Sequence, residues 1–220
     1  MPVKHTRSTH SSCTIASSDQ EPDGVGALTP DECREYNELP HEARRRDWLA
    51  GRLAAKRAIA THCAVPQAHV RLVPQIDAAP LGLLWNEDDG WTTLPLSISI
   101  SHHDGRALAA VVDSPARIGV DLACTGEIGP EHHRYFLTPS ELSVAERIGP
   151  SLVWALKEAA WKALSLTHAT PFTALSLAID DETRLRGLWL DACWIPATAR
   201  TWRVSHDMIA AAVCVEAELQ

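Results

Sequence analysis

The feature that most constrains this chain is that it repeats itself. The segment WLAGRLAAK, Trp48 to Lys56, matches WALKEAAWK, Trp154 to Lys162, and both run from Trp to Lys over the same length. Downstream, SHHDGRALAAVV from Ser101 matches SHDMIAAAVCV from Ser205. Alanine-rich helices resemble one another, so the first match alone says little. Two matches in the same order, at nearly equal steps, imply two similar halves. Each half reads as a long helix followed by alternating apolar strands, which is the pattern of an α+β fold. The expectation is two pseudo-symmetric halves, each a long helix packed on a small antiparallel sheet. Residues 27–116 form the first and residues 117–220 the second, with the boundary near Ser114 to Arg117. Residues 1–26, rich in Ser, Thr and His, read as a mobile or loosely docked arm.

Local signals fill in the halves. Thr29-Pro30-Asp31-Glu32 starts a short helix, with Thr29 as N-cap and Pro30 at the first position. From Glu42, EARRRDWLAGRLAAKRAIATHC is built of good helix formers. Gly51 interrupts it at a cost of about 1 kcal/mol relative to Ala, which suggests close approach of another backbone or a ligand. Arg44, Arg45, Arg46, Arg52, Lys56 and Arg57 lie on this helix. They read either as a solvated face or as an anion pocket, since Arg and Lys offer charge-assisted donors to phosphate. Val70 to Val73 reads as a strand, and Ala78 to Gly90 as turns and loop. LSISIS, Leu96 to Ser101, alternates like a half-buried strand and pairs with Ala107 to Val112 across a His102–Gly105 turn. Ile118 to Leu122 is a short strand.

In the second half, Thr138-Pro139-Ser140-Glu141 opens another helix, running to about Ile148. Gly149-Pro150 ends it. The next helix starts from Leu152, with Val153, Leu156, Ala160 and Ala163 as its apolar stripe. Trp154, Lys157, Glu158, Trp161 and Lys162 fall on the rest of its surface. Leu175 to Ile179, Leu188 to Trp194, Thr201 to Ser205 and Ile209 to Val215 read as strands of a closing antiparallel sheet.

Composition narrows the function classes. The 220 residues carry a formal net charge of −8, which argues against general nucleic-acid binding. No apolar run approaches the roughly 20 residues a membrane span needs. The N-terminus has no secretory-type apolar segment, so a cytoplasmic protein is expected. The six cysteines are never at CxxC spacing and read as small core residues of a reducing compartment.

Asp121 on a short strand and Glu158 on a helix can converge on one Mg²⁺, which takes hard oxygen ligands and keeps several waters. Lys162, one turn beyond Glu158, is then within reach of a phosphate oxygen. Taken alone, Glu158 and Lys162 are equally an exposed i,i+4 ion pair worth a few tenths of a kcal/mol. If the halves face each other across a cleft, Lys56 of the first helix meets Glu158 and Lys162 of the second.

IGVDLA at Ile118 to Ala123, followed by WALKEAAWKAL at Trp154 to Leu164, resembles the two-part signature of the 4′-phosphopantetheinyl transferases. SISHHDGR from Ser99 looks like a third motif of that family, and the WLAGRLAAK helix is similar to its N-terminal helix. Length and duplication resemble the larger, Sfp-like subclass, which is monomeric with two halves in one chain. The resemblance covers roughly residues 44–215. It implies transfer of the 4′-phosphopantetheine arm of coenzyme A to a serine of an apo acyl or peptidyl carrier protein, leaving 3′,5′-ADP. It assigns Asp121 and Glu158 to Mg²⁺ and Glu158 to the serine proton, by taking it or orienting its acceptor. Lys162 is assigned to the pyrophosphate and the departing ADP oxygen. Ser101, His102 and Lys56 are assigned to the nucleotide, with Arg52 and one of Arg44 to Arg46 as weaker candidates.

The chain departs from the family pattern where many members carry a second acid two residues after the Asp; here that position is Ala123. Water would complete the metal shell there. The SHHDG turn also carries one residue more than the usual spacing. His103, His132 and His133 lack motif support and read as surface residues. Trp154 reads as core and Lys157 as a structural or solvated partner. Two rival readings remain at this level: a non-catalytic coenzyme A or carrier-binding module, and a different Mg²⁺-dependent nucleotide hydrolase.

Overall fold

The computed structural model describes residues 13–18, 24–75, 78–167 and 169–216. They form a mixed α+β architecture with five helices and three antiparallel sheets. The first part of the chain gives strand β1 (Thr14–Ser18) and helices α1 (Pro30–Glu38) and α2 (Glu42–Cys63). Strands β2 (Val70–Gln75), β3 (Ala78–Asn86), β4 (Gly90–Thr93), β5 (Leu96–His103) and β6 (Arg106–Asp113) follow. These strands make two three-stranded sheets, ordered β1-β6-β5 and β2-β3-β4. Helix α2 buries Ala50, Ala54, Ala58 and Ile59 against Val70, Leu72, Ile98, Ala109 and Val111.

The second part gives β7 (Arg117–Cys124) and helices α3 (His133–Phe136), α4 (Leu142–Ile148) and α5 (Pro150–Ala163). Strands β8 (Leu175–Ile179), β9 (Leu185–Leu190), β10 (Cys193–Arg203) and β11 (Met208–Val215) complete it. They form one five-stranded sheet, ordered β7-β11-β10-β9-β8. Its core joins Val153, Leu156, Ala159 and Ala160 of α5 to Leu175, Leu188, Ala211 and Val213. An aromatic group caps this core. Trp154 stacks on Phe172 at 5.2 Å and meets Phe136 edge-on at 5.1 Å.

Each long helix buries one lysine against a glutamate, in the same way. Glu32, fully buried, accepts from Lys56 Nζ (2.8 Å), Thr29 N (2.9 Å) and Leu72 N (3.1 Å). Glu141, also fully buried, accepts from Lys157 Nζ (2.8 Å), Thr138 N (2.9 Å) and Leu177 N (2.8 Å). Both glutamates occupy the fourth place of a Thr-Pro-x-Glu turn, and both reach the third residue of the strand beyond the helix. A buried carboxylate persists when an ammonium and several N–H donors satisfy it. The clasps therefore tie a helix start, a long helix and a strand together in each part of the chain. In these contacts Lys56 behaves as Lys157 does, not as Lys162, with which sequence matching aligned it.

The seam between the two parts is made by serine side chains. Strands β5 and β7 run side by side in different sheets. Ser97, Ser99 and Ser101 present their Oγ atoms to the N–H groups of Ile118 (3.2 Å), Val120 (3.0 Å) and Leu122 (3.2 Å). The alternation in LSISIS thus places Ile98 in the core under α2 and the serines on the seam.

Four expectations need correction. Thr14–Ser18, assigned to the arm, pairs with β6 from Thr14↔Val111 to Ser18↔Ala107, covering an apolar edge. The rest of residues 1–26, except Cys13 and residues 24–26, lies outside the described residues. The segment read as turns and loop from Ala78 is the β3–β4 hairpin. Its Pro80 and Gly82 looked like breakers, yet Gly82 is where Ile98 and Ile59 press close, 3.0 and 3.2 Å from where a Cβ would stand. Leu188 to Trp194 is not one strand, because Asp191 at φ 50° turns the chain and Trp189 faces Trp194 across the hairpin. Lys157, placed on the surface, is fully buried. Among the described residues no helix is long and apolar enough to cross a membrane.

Candidate functional site

Gly119 sets the site's geometry. A Cβ there would stand 1.8 Å from the carbonyl oxygen of Ala159, so α5 can rest on β7 only because position 119 has no side chain. That contact holds Glu158 and Lys162 of α5 over Asp121 of β7. Asp121 is 5% exposed. Its Oδ1 accepts from Lys162 Nζ at 2.7 Å and from Ser101 Oγ at 2.9 Å. Lys162 also donates to the Val120 carbonyl at 3.1 Å. These bonds fix the ammonium, which carries three donors in all, at the mouth of the site. Ser101 of β5 holds β7 twice, since it donates to Asp121 and accepts from Leu122 N.

Asp121, Glu158, Lys162, Ser101 and His102 line a single cavity of about 760 Å³. The hairpin that carries His102 is fixed by a type of turn with both central residues at positive φ, Asp104 at 47° and Gly105 at 74°. Asp47 of α2 accepts from Gly105 N at 2.6 Å, and its other oxygen lies 3.7 Å from His102 Nδ1. The first helix thus contributes to the site through Asp47.

Lys56 is not brought to this cavity. It is fully buried and clasped by Glu32, as Lys157 is by Glu141. Arg52 is also held away from it. Its guanidinium donates to the Leu72 carbonyl (3.1 Å) and Glu35 (2.8 Å) and lies 4.6 Å over the Trp48 ring. Burial lowers its pKa, opposed by the charges of Glu35 and Glu32. Arg52 does line an adjoining cavity of about 280 Å³, whose wall includes His102. The rest of the basic cluster is dispersed: Arg45 donates to the Leu39 carbonyl, Arg46 meets Asp104, and Arg57 donates to the Ser17 carbonyl. Gly51 faces Ile100, whose Cγ2 is 3.3 Å from a Cβ built there.

Several cavity residues carried no sequence signal. His103 and His132, read as surface residues, line the wall, as do Cys124, Glu127 and Tyr135. Trp154, read as core, does both: it stacks in the aromatic group and reaches the cavity. Strand parity would have hidden half of them, since residues 121 to 124 all line the wall at the end of β7. The Cys124 thiol is pushed up in pKa, first by burial and then by the charges of Glu127 and Asp207. Ala123 also lies in the wall, on the same strand face as Asp121. An acid at that position would have joined the same cavity.

The carboxylates of Asp121 and Glu158 supply hard oxygen donors from two elements to one space, which suits a Mg²⁺ ion completed by water and phosphate oxygens. A third adjoining cavity of about 680 Å³, lined by Ile98, Trp161 and Leu166, shares Lys162 and Ile100 with the first. No protein-family model matches this chain, and no curated protein matches it in sequence.

Proposed function

We propose that this chain is an Sfp-like 4′-phosphopantetheinyl transferase that moves the 4′-phosphopantetheine arm of coenzyme A to a serine of an apo carrier protein. The observation that carries the reading is the convergence of Asp121, Glu158, Lys162, Ser101 and His102 on one cavity of about 760 Å³. These residues come from the three separate motifs on which the resemblance rests. The repeated lysine–glutamate clasps support the further reading of two pseudo-symmetric halves.

Chemistry of this kind depends on positioning and charge stabilisation more than on covalent participation. The serine oxygen bonds to the phosphorus that carries the pantetheine, and the P–O bond to 3′,5′-ADP breaks. Glu158 takes the serine proton or orients its acceptor. Lys162, held in place by Asp121 and the Val120 carbonyl, donates to the departing ADP oxygen. Ser101 keeps the Asp121 carboxylate oriented. His102, half-exposed at the junction of two cavities, is available to a nucleotide phosphate. Asp121 and Glu158 would hold Mg²⁺, which when bound draws charge from the pyrophosphate; water takes the place of the acid that Ala123 lacks. Lys56 has no part in this scheme. The apolar cavity beyond Lys162 offers room for the uncharged portion of the arm.

The test is intact mass measurement of several apo carriers after incubation with the protein, coenzyme A and Mg²⁺. The expected result is a gain of one phosphopantetheine on at least one fatty-acid, polyketide or peptide carrier, lost on chelation. Release of 3′,5′-ADP with no carrier gain would identify a hydrolase instead. Coenzyme A binding with neither product would identify a binding module.

A further inference from the structure

At the rim of the same cavity, the last residues of two strands bring together a second donor set that the transfer scheme does not use. His103 ends β5 and Cys124 ends β7, with Glu127 in the turn that follows. His103 Nε2 lies 3.2 Å from Cys124 Sγ and 3.7 Å from a Glu127 carboxylate oxygen. The three donor atoms all lie within 4.8 Å of one another. We propose that His103, Cys124 and Glu127 form a binding site for a thiophilic divalent cation, with Zn²⁺ as the fitting ion.

The distances suit that ion. Tetrahedral zinc, with bonds of about 2.0–2.3 Å to nitrogen, oxygen and sulfur, sets its donor atoms roughly 3.3–3.8 Å apart. The two histidine-centred edges are already near that span. The third, within 4.8 Å, is adjustable by rotation of Glu127, whose side chain is 63% exposed. The donor types point the same way. Thiolate and imidazole select zinc, whereas magnesium takes oxygen, as at Asp121 and Glu158. The backbone beneath is fixed. Ser101 of β5 is bonded to Leu122 N of β7, two residues before each of the end positions. Thr125 N donates to the Asp207 carbonyl at 2.8 Å, which holds the turn leading to Glu127. Three protein ligands leave a fourth position for water or an exogenous anion or thiol. All three residues line the cavity, so that position is accessible to whatever the cavity holds. The site therefore takes zinc together with a small anionic or thiol ligand.

The experiment is equilibrium dialysis of the full chain against Zn²⁺ alone, with Co²⁺ as a spectroscopic substitute. The expected result is one tightly held equivalent of Zn²⁺ and, with Co²⁺, a near-ultraviolet thiolate-to-cobalt absorption. Cys124→Ser should remove that absorption, and both Cys124→Ser and Glu127→Gln should weaken zinc by about tenfold or more. Asp121→Asn should keep the zinc equivalent, which separates this site from the proposed magnesium site. Zinc held equally well by Cys124→Ser, or cobalt bound without thiolate absorption, would overturn the proposal in favour of adventitious histidine binding. The readout is metal binding, so its outcome does not depend on whether the chain transfers phosphopantetheine.

Discussion

Helices α2 and α5 can be laid side by side at Lys56 and Lys157. Each lysine is fully buried, each is held by the glutamate of a Thr-Pro-x-Glu turn, and each glutamate also caps its own turn and holds a strand N–H. The next positions diverge. One residue after the clasp lysine, α2 has Arg57, donating to the Ser17 carbonyl, while α5 has Glu158 on the cavity wall. Five residues after it, α2 has Thr61 and α5 has Lys162, bonded to Asp121. The comparison teaches that what the two helices share is a structural clasp. The residues of the proposed chemistry sit beside only one of the two clasps, and α2 reaches the site through the carboxylate of Asp47.

The largest contrast should come from the glycines beneath the two helices. Gly119→Ala has no room, since its Cβ would fall 1.8 Å from the Ala159 carbonyl oxygen. It should leave no cooperative thermal transition, or one lowered by more than about 4 kcal/mol. Gly51→Ala meets only Ile100 Cγ2 at 3.3 Å, and the gain in helix propensity of about 1 kcal/mol should offset that contact. Its melting temperature should stay near wild type, and a collapse equal to that of Gly119→Ala would break the comparison.

The clasps come next. Lys56→Met and Lys157→Met each strand a buried carboxylate and should each cost about 3–5 kcal/mol in denaturant unfolding. Losses that differ widely between the two would mean that the clasps are not energetic equals. Lys157 adds a pH test. Burial lowers its pKa in the folded chain from the ordinary 10.5, outweighing the opposing pull of Glu141. Between the lowered value and 10.5 the unfolded chain binds the extra proton, so this group's contribution makes stability rise with pH. Lys157→Met should remove that slope. The smallest effect is the cap on α1. Thr29 Oγ1 accepts from Glu32 N at 3.3 Å, and Thr29→Ala should cost about 1 kcal/mol.

Much of this was legible in the sequence where local chemistry decides conformation. The Thr-Pro-x-Glu starts, the whole of α2, the end of α4 and strand β8 follow from capping residues, periodicity and terminal glycine. Asp121, Glu158 and Lys162 were found together because their motifs sit on elements that pack directly on each other. Lys56 was misread because an alanine-rich helix offers several registers for matching, and only the partner carboxylate distinguishes them. Glu32 and Glu141 looked like routine first-turn acids, and nothing local says that each is buried under the next long helix. β1, β3 and β4 were hidden because their sequences are polar or carry Pro and Gly, and they pair through the neighbouring apolar edge rather than by their own pattern. His103, Cys124 and Glu127 converge through the β5–β7 seam, a contact between two sheets that no sequence period records.

The central claim, that the chemistry turns on the α5 face laid over β7 and not on α2, is tested most directly by the transfer rate of Glu158→Gln beside wild type. Both would be measured by intact carrier mass with coenzyme A and Mg²⁺, and both would be checked for the same melting temperature. The account predicts that wild type loads the carrier. It predicts that Glu158→Gln loads it slower by on the order of 10²–10³-fold, with unchanged stability. Loading by Glu158→Gln at the wild-type rate would contradict it.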